Sequence, residues 1–205
     1  AGGGFYGNNT MRITSSHGAW VVLGTRVTEV EIEATPALEL DCGQCRLCID
    51  ACPTGALDEP GVLDATRCLS YWTQAPEPVP DTYRADLGDM VYGCDVCQEV
   101  CPWNRGVEKR RAGAALAPDA EPVVSLVDWL TGDGQELRDR YRRLYVPRHD
   151  PRWLRRNALL ALGNAGRPED APFAETYLGA ADEMLGETAG WALERIAARH
   201  GAEAA

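Results

Sequence analysis

Eight cysteines in two proline-terminated blocks constrain this chain more than any other feature. The first block runs Cys42-Gly43-Gln44-Cys45-Arg46-Leu47-Cys48-Ile49-Asp50-Ala51-Cys52-Pro53. The second runs Cys94-Asp95-Val96-Cys97-Gln98-Glu99-Val100-Cys101-Pro102, and Cys68 lies between them. Three thiolates spaced by two residues can wrap one corner of an iron–sulfur cubane, and a fourth, followed by proline, turns away to a neighbouring cluster. The pattern points to two [4Fe–4S] clusters and to single-electron transfer. Two zinc sites would use two separated C-x2-C pairs rather than overlapping ones. A disulfide framework suits a small secreted chain, and nothing in the sequence marks secretion.

The spacing also suggests a pairing. In two-cluster ferredoxins the Cys-Pro cysteine of each block serves the other block's cluster. That assigns Cys42, Cys45, Cys48 and Cys101 to the first cluster and Cys52, Cys94 and Cys97 to the second. Cys68 is the remaining cysteine and completes the second set, leaving no thiol for a disulfide or a nucleophile.

A chain of 205 residues holds one large or two small domains. Its longest apolar run is too short to span a bilayer, and no charged-then-apolar leader opens it. Reduced cysteines without an export signal suggest the cytoplasm. The chain begins at Ala1 inside a patterned segment, so we expect a fragment lacking its N-terminal part. The net charge of −11 alone argues against a nucleic-acid partner. Its distribution is less simple: of 20 basic residues one is Lys, and eight Arg fall between Arg138 and Arg156 against Asp139 and Asp150. Arg105, Lys109, Arg110 and Arg111 form a second basic stretch. Taken alone, such runs suit a solvated helix face.

The expected fold class is α+β. Residues 1–40 read as the closing part of an α/β domain: Gly2, Gly3, Gly4 and Gly7 mark a loop, and Met11–Thr14 and Trp20–Gly24 read as short strands. Val27–Glu33 alternates and reads as a half-exposed edge strand. Residues 41–111 form a two-cluster ferredoxin-like module, too poor in large aliphatics to make a core without metal. Within it, residues 76–81 read as an extended loop and Tyr83–Leu87 as a helical turn. Residues 112–122 read as a linker, and 123–205 as a helical domain. There Ala158-Leu159-Leu160-Ala161-Leu162 and Ala189-Gly190-Trp191-Ala192-Leu193 share an A-x-x-A-L core, as a pair of HEAT-like repeats or a small helical bundle would. Asp150-Pro151 gives a helix start and Gly163 a helix stop.

The chain resembles the epoxyqueuosine reductases. The resemblance rests on Gly7-Asn8-Asn9-Thr10, His17-Gly18-Ala19-Trp20, the run Asp41–Leu57 and Cys68-Leu69-Ser70-Tyr71-Trp72-Thr73-Gln74. It continues through Tyr92-Gly93-Cys94-Asp95-Val96-Cys97-Gln98 and Cys101-Pro102-Trp103-Asn104, and covers essentially the whole chain. It implies that residues 1–40 close a cobalamin-binding domain, with cobalamin beside one cluster and contacts from Gly7, Asn9, Thr10, Ser70, Gly93 and Asp95. It implies reduction of epoxyqueuosine to queuosine at the wobble position of a tRNA anticodon, the last step of queuosine biosynthesis. The protein would act as a monomer, off the membrane, fed by an external one-electron donor. The family's proton-supplying Asp would lie upstream of Ala1, so no catalytic residue is expected in this chain. Where the family usually carries Lys, this sequence has Asn8: either a charge toward cofactor or RNA is lost, or the turn tolerates the change. The resemblance also favours RNA contact by the Arg138–Arg156 stretch, which holds Tyr141, Tyr145 and Trp153 for stacking on splayed bases.

Two other functions use the same cysteines. A corrinoid reductive dehalogenase also couples two clusters to cobalamin but does not need a basic helical tail. A ferredoxin-like electron-transfer subunit would need neither the glycine loop before Cys42 nor the helices after the linker.

Overall fold

The computed structural model describes residues 3–114 and 120–201; residues 115–119 of the expected linker lie outside them. The chain divides into two compact units, Ala1–Cys68 with Asp95–Ala117, and Leu69–Cys94 with Pro118–Ala205. Residues 69–94, which the sequence reading places in the cysteine module, therefore pack with the helices of the tail.

In the first unit, β1 (Phe5–Tyr6) and β2 (Arg12–Ile13) form an antiparallel hairpin with Phe5 opposite Ile13 and Tyr6 opposite Arg12. The connecting turn closes with the Gly7 and Met11 backbones paired at 2.9 Å. Thr10 in this turn adopts a left-handed φ of 64°. Each cysteine block carries a single helical turn, α1 (Leu47–Asp50) and α4 (Val96–Glu99). After Cys101, α5 (Pro102–Arg111) starts with proline at its first turn, where no donor is lost, and ends on Lys109, Arg110 and Arg111, which suit the negative end of the helix dipole. The two apolar clusters of this unit are built around thiols. One joins Phe5, Ile13, Ala19 and Cys101; the other joins Cys48, Ile49 and Leu57.

The strands expected at Trp20–Gly24 and Val27–Glu33 are not formed. Val27, Val30 and Ile32 are 94%, 71% and 73% exposed. No strand among the described residues pairs with them, and a lone strand leaves its backbone unpaired and its apolar face in water. Locally, the Thr28 hydroxyl accepts from the Val30 N–H at 3.1 Å, an alternative to a ladder bond.

The second unit is helical. It contains α2 (Leu69–Gln74), α3 (Asp81–Arg84), α6 (Leu126–Thr131) and α7 (Gly134–Arg140). These are followed by α8 (Arg152–Ala165), α9 (Ala171–Glu175) and α10 (Glu183–Gly201). Ser125 and Asp133 cap α6 and α7 through their side chains. The two A-x-x-A-L segments lie in α8 and α10, where Ala158, Ala161, Ala189 and Ala192 are fully buried. Gly163 does not stop α8, which runs on to Ala165. It is a point of close approach instead: a Cβ there would meet the Trp191 ring at 2.7 Å and Ala192 Cα at 2.9 Å. Among the described residues no helix is long and apolar enough to cross a membrane.

Candidate iron–sulfur centres

No disulfide joins any of the eight cysteines, all of which lie among the described residues. Cys42, Cys45, Cys48 and Cys101 line a cavity of about 420 Å³, together with Asn8, Asn9, Ile13 and Trp103. Cys48 and Cys101 are buried. Burial pushes both of these thiols up, only partly offset by backbone N–H groups. The charges of Cys42 and Cys101 raise Cys48 further, and those of Cys42 and Cys45 raise Cys101. Four sulfurs so placed repel one another as thiolates, and positive iron would relieve both the repulsion and the burial. The donor set and the space therefore fit a four-iron cluster. Among the described residues no three His, Cys, Asp or Glu side chains gather around a single-ion position.

Asn8 and Asn9 hang over this cavity from the β1–β2 turn. The Asn8 backbone N–H points to Cys42 Sγ at 3.4 Å, and its side-chain amide donates to the Cys45 carbonyl at 2.8 Å. Asn8, where the family resemblance leads one to expect Lys, is thus engaged with two cysteines of the first block. Asn9 Oδ1 accepts from the Met11 N–H at 3.2 Å, and its Nδ2 reaches the Cys97 carbonyl at 3.4 Å. Asp41 Oδ1 accepts from the Gly43 N–H at 2.8 Å, which turns the chain into the first block.

Cys52 has a different environment. Burial raises its thiol, but the N–H groups of Leu57, Thr54 and Ala56 and the Thr54 hydroxyl outweigh that, so its net shift is downward. Cys52 and Cys97 pack together against Cys48, Ile49 and Leu57. Cys68 is half-buried after a 3-10 turn, Ala65–Arg67, capped by Asp64. Arg67 locks this approach by donating to the Thr54 carbonyl at 2.9 Å while its own carbonyl accepts from Thr54 Oγ1 at 2.6 Å. Cys94 belongs to the second unit, where it packs against the cluster of Leu69, Val79, Leu87 and Leu160.

Of the six positions expected to touch cobalamin, Asn9 lines the cavity. Gly7 and Thr10 shape the turn that carries it. Asp95 accepts from Gln98 Nε2 at 2.6 Å. Ser70 offers its carbonyl to Thr73 and Gln74. Gly93, with a left-handed φ of 75°, donates to Thr73 Oγ1 at 2.9 Å. Sequence reasoning missed Asn104, although it ends a motif of the resemblance. This buried amide accepts from the Ala19 N–H at 2.7 Å and donates to the Gln98 carbonyl at 2.7 Å.

The arginine stretch divides by burial. Arg138, Arg140, Arg142, Arg143 and Arg148 are exposed, as is Tyr145. Tyr141 and Trp153, expected to stack on bases, are buried in the apolar core of the second unit. Arg156 is 0% exposed. Its guanidinium donates to the carbonyls of Trp72, Ala75 and Glu77 at 2.6–2.7 Å and to Asn157 Oδ1. Desolvation lowers its pKa to about 10, and it stays charged at neutral pH. Arg155 donates to the Trp129 and Gly132 carbonyls, and Arg152 pairs with Asp182 at 3.0 Å.

Residues 41–104 match the family described as a 4Fe-4S double cluster binding domain. The epoxyqueuosine reductase of Lactococcus garvieae is 34% identical over 98% of this chain and 57% of its own length. The solved structure of the epoxyqueuosine reductase from Bacillus subtilis is 34% identical, with a TM-score of 0.84 over 96% of this chain and 53% of that one. A crystal structure of an epoxyqueuosine reductase with an epoxyqueuosine-modified stem loop of a tyrosine tRNA gives 0.83 at 34% identity, over 96% and 52%. The chain spans about half the length of the curated relatives it matches. By sequence and by fold, nearly the whole of this chain is similar to about half of an epoxyqueuosine reductase.

Proposed function

We propose that this chain is the iron–sulfur and helical part of an epoxyqueuosine reductase acting in the cytoplasm as a monomer fed by an external one-electron donor. The observation that carries the reading is the four-thiol cavity of Cys42, Cys45, Cys48 and Cys101, the last two buried, beside the Asn8–Asn9 turn. These four would hold one [4Fe–4S] cluster, and Cys52, Cys68, Cys94 and Cys97 the other. The chemistry the bound groups supply is one-electron transfer to cobalamin and cobalt-driven loss of the epoxide oxygen.

The chain's own residues hold and tune. The Asn8 N–H, directed at Cys42 Sγ, stabilises added negative charge on that sulfur and favours the reduced state. Asn9 lines the cavity, and with Gly7, Thr10, Ser70, Gly93 and Asp95 it would make the cobalamin contacts that the family resemblance implies. Ile13 and Trp103 line the same cavity and would shield the thiols from water. Substrate tRNA would meet the exposed Arg142, Arg143, Arg148 and Tyr145, with the guanidinium groups on phosphates and the ring on a splayed base. HEAT-like packing of α8 against α10 would give that surface a rigid backing.

Anaerobic reconstitution of the intact protein tests the reading. About eight irons per chain are expected from two four-iron clusters. About four irons, or about two zinc ions, would refute it. Cys68→Ser should abolish the electron paramagnetic resonance signal of the second cluster and keep that of the first.

A further inference from the structure

Tyr145 carries a ring that is 72% exposed on a loop that is otherwise anchored. Its neighbours Leu144 and Val146 pack into the apolar core of the second unit. Val146 has extended backbone, with φ −131° and ψ 151°. In extended backbone successive side chains leave on opposite faces, so two inward neighbours send the Tyr145 ring outward. The flanks are held as well. The Leu144 N–H donates to the Tyr141 carbonyl at 2.8 Å, and Trp153 Nε1 donates to the Pro147 carbonyl at 3.2 Å. Along the same loop Arg142, Arg143 and Arg148 are exposed.

An extended segment without a partner strand must satisfy its N–H and C=O groups elsewhere. At Tyr145 one side chain serves both. The Tyr92 hydroxyl accepts from the Tyr145 N–H at 2.7 Å and has the Tyr145 carbonyl at 3.2 Å within donating reach, with Gln74 Oε1 at 3.4 Å as the other acceptor for its single hydrogen. Tyr92, Gln74 and Tyr145 all belong to the second unit. Tyr92 is itself held in place, because Asn157 Nδ2 donates to the Val91 carbonyl at 2.8 Å and the Gly93 N–H donates to Thr73 Oγ1 at 2.9 Å. The Tyr145 backbone is therefore fixed before anything binds, and an aromatic ring on fixed backbone loses little freedom when a flat partner stacks on it.

We infer that Tyr92 is a positioning residue for recognition of an unpaired RNA base: by holding both backbone polar groups of Tyr145, its hydroxyl presents the Tyr145 ring for stacking beside the exposed arginines. The inference rests on the proposed RNA contact and deepens it. What the loop recognises is an unstacked base with its phosphates, as in a single-stranded loop, rather than the outside of a duplex.

The test uses the intact protein with both clusters assembled and a fluorescently labelled anticodon stem loop as probe. Tyr145→Ala should weaken binding about fivefold or more, the low end of what one base–aromatic stack contributes. Tyr92→Phe keeps the ring and loses the hydroxyl, and should weaken binding about threefold or more, within the worth of one hydrogen bond. In both variants the dependence of affinity on salt should stay that of the wild type, because the phosphate contacts remain. In a Tyr145→Ala background, Tyr92→Phe should cost nothing further, since its effect runs through the ring. Wild-type affinity in Tyr92→Phe beside a weakened Tyr145→Ala overturns the inference and leaves the RNA reading standing. An equal loss from Tyr92→Phe with and without the Tyr145 ring also overturns it. So does a loss accompanied by a flatter salt dependence, which would mean that the whole loop had given way. Undiminished binding by Tyr145→Ala removes the stacking, and Arg142→Glu/Arg143→Glu then decides separately whether RNA meets this loop at all.

Discussion

The side-chain oxygen of Asn104 accepts from the backbone N–H of Ala19 at 2.7 Å, fixing the loop after the hairpin to the residue three beyond Cys101. Gly18 fits beside it only because a Cβ there would run into the same amide.

Asn104→Leu should therefore strip a partner from the Ala19 N–H and the Gln98 carbonyl. The Gln98 carbonyl keeps the Cys101 N–H at 3.1 Å, so the Ala19 N–H is the group left unpaired, at a cost of about 1–3 kcal/mol. Urea unfolding should show that loss. The cluster proposed on Cys101 should also release iron to a chelator faster than the other.

Gly163→Ala should destabilise the second unit by about 1–3 kcal/mol, since the added methyl must push the Trp191 ring and the α10 backbone at Ala192. The same change at Gly190, where a Cβ meets nothing within 4 Å, should stabilise the helix by up to about 1 kcal/mol. Thermal unfolding of the two variants should move in opposite directions.

Reversing the exposed Arg142, Arg143 and Arg148 to Glu should weaken stem-loop binding. It should also flatten its dependence on salt by about 0.7–0.9 units of slope per lost phosphate contact, and leave the melting temperature near its original value. Arg155→Glu should do the converse, because that guanidinium serves the Trp129 and Gly132 carbonyls. Titration of fluorescently labelled stem loop at several salt concentrations, beside a melting curve, separates the two behaviours.

In cluster-free protein, Cys52 should be alkylated at lower pH than Cys48 or Cys101. Backbone and Thr54 hydrogen bonds outweigh burial and favour its thiolate, whereas burial and neighbouring sulfur charge hold the other two as thiols. Mass spectrometry after brief iodoacetamide treatment across a pH series would reveal the order.

The meeting of Cys42, Cys45 and Cys48 at one cavity was legible because their two-residue spacing is local. Val27–Glu33 was misread because period-two alternation defines faces and says nothing of a partner strand. Gly163 was misread because glycine serves equally as a terminator and as a site of close helix approach. Arg156 held a usable signal. It follows Trp153 by three positions and precedes Leu160 by four, on the apolar stripe of α8, where a cation must find internal acceptors. Its acceptors are 79–84 residues away in sequence, and no local pattern announces them.

That separation governs the order in which the protein can be made. The carbonyls of Trp72, Ala75 and Glu77 receive their donor only after Arg156 has been synthesised, 84 residues beyond Trp72. The thiols of Cys42, Cys45, Cys48 and Cys101 are all present once the ribosome has passed residue 101. Cofactor loading during translation would then be sequential. A cubane proposed on those four thiols could be inserted into a nascent chain, whereas the segment that carries Cys94 packs against helices that emerge later.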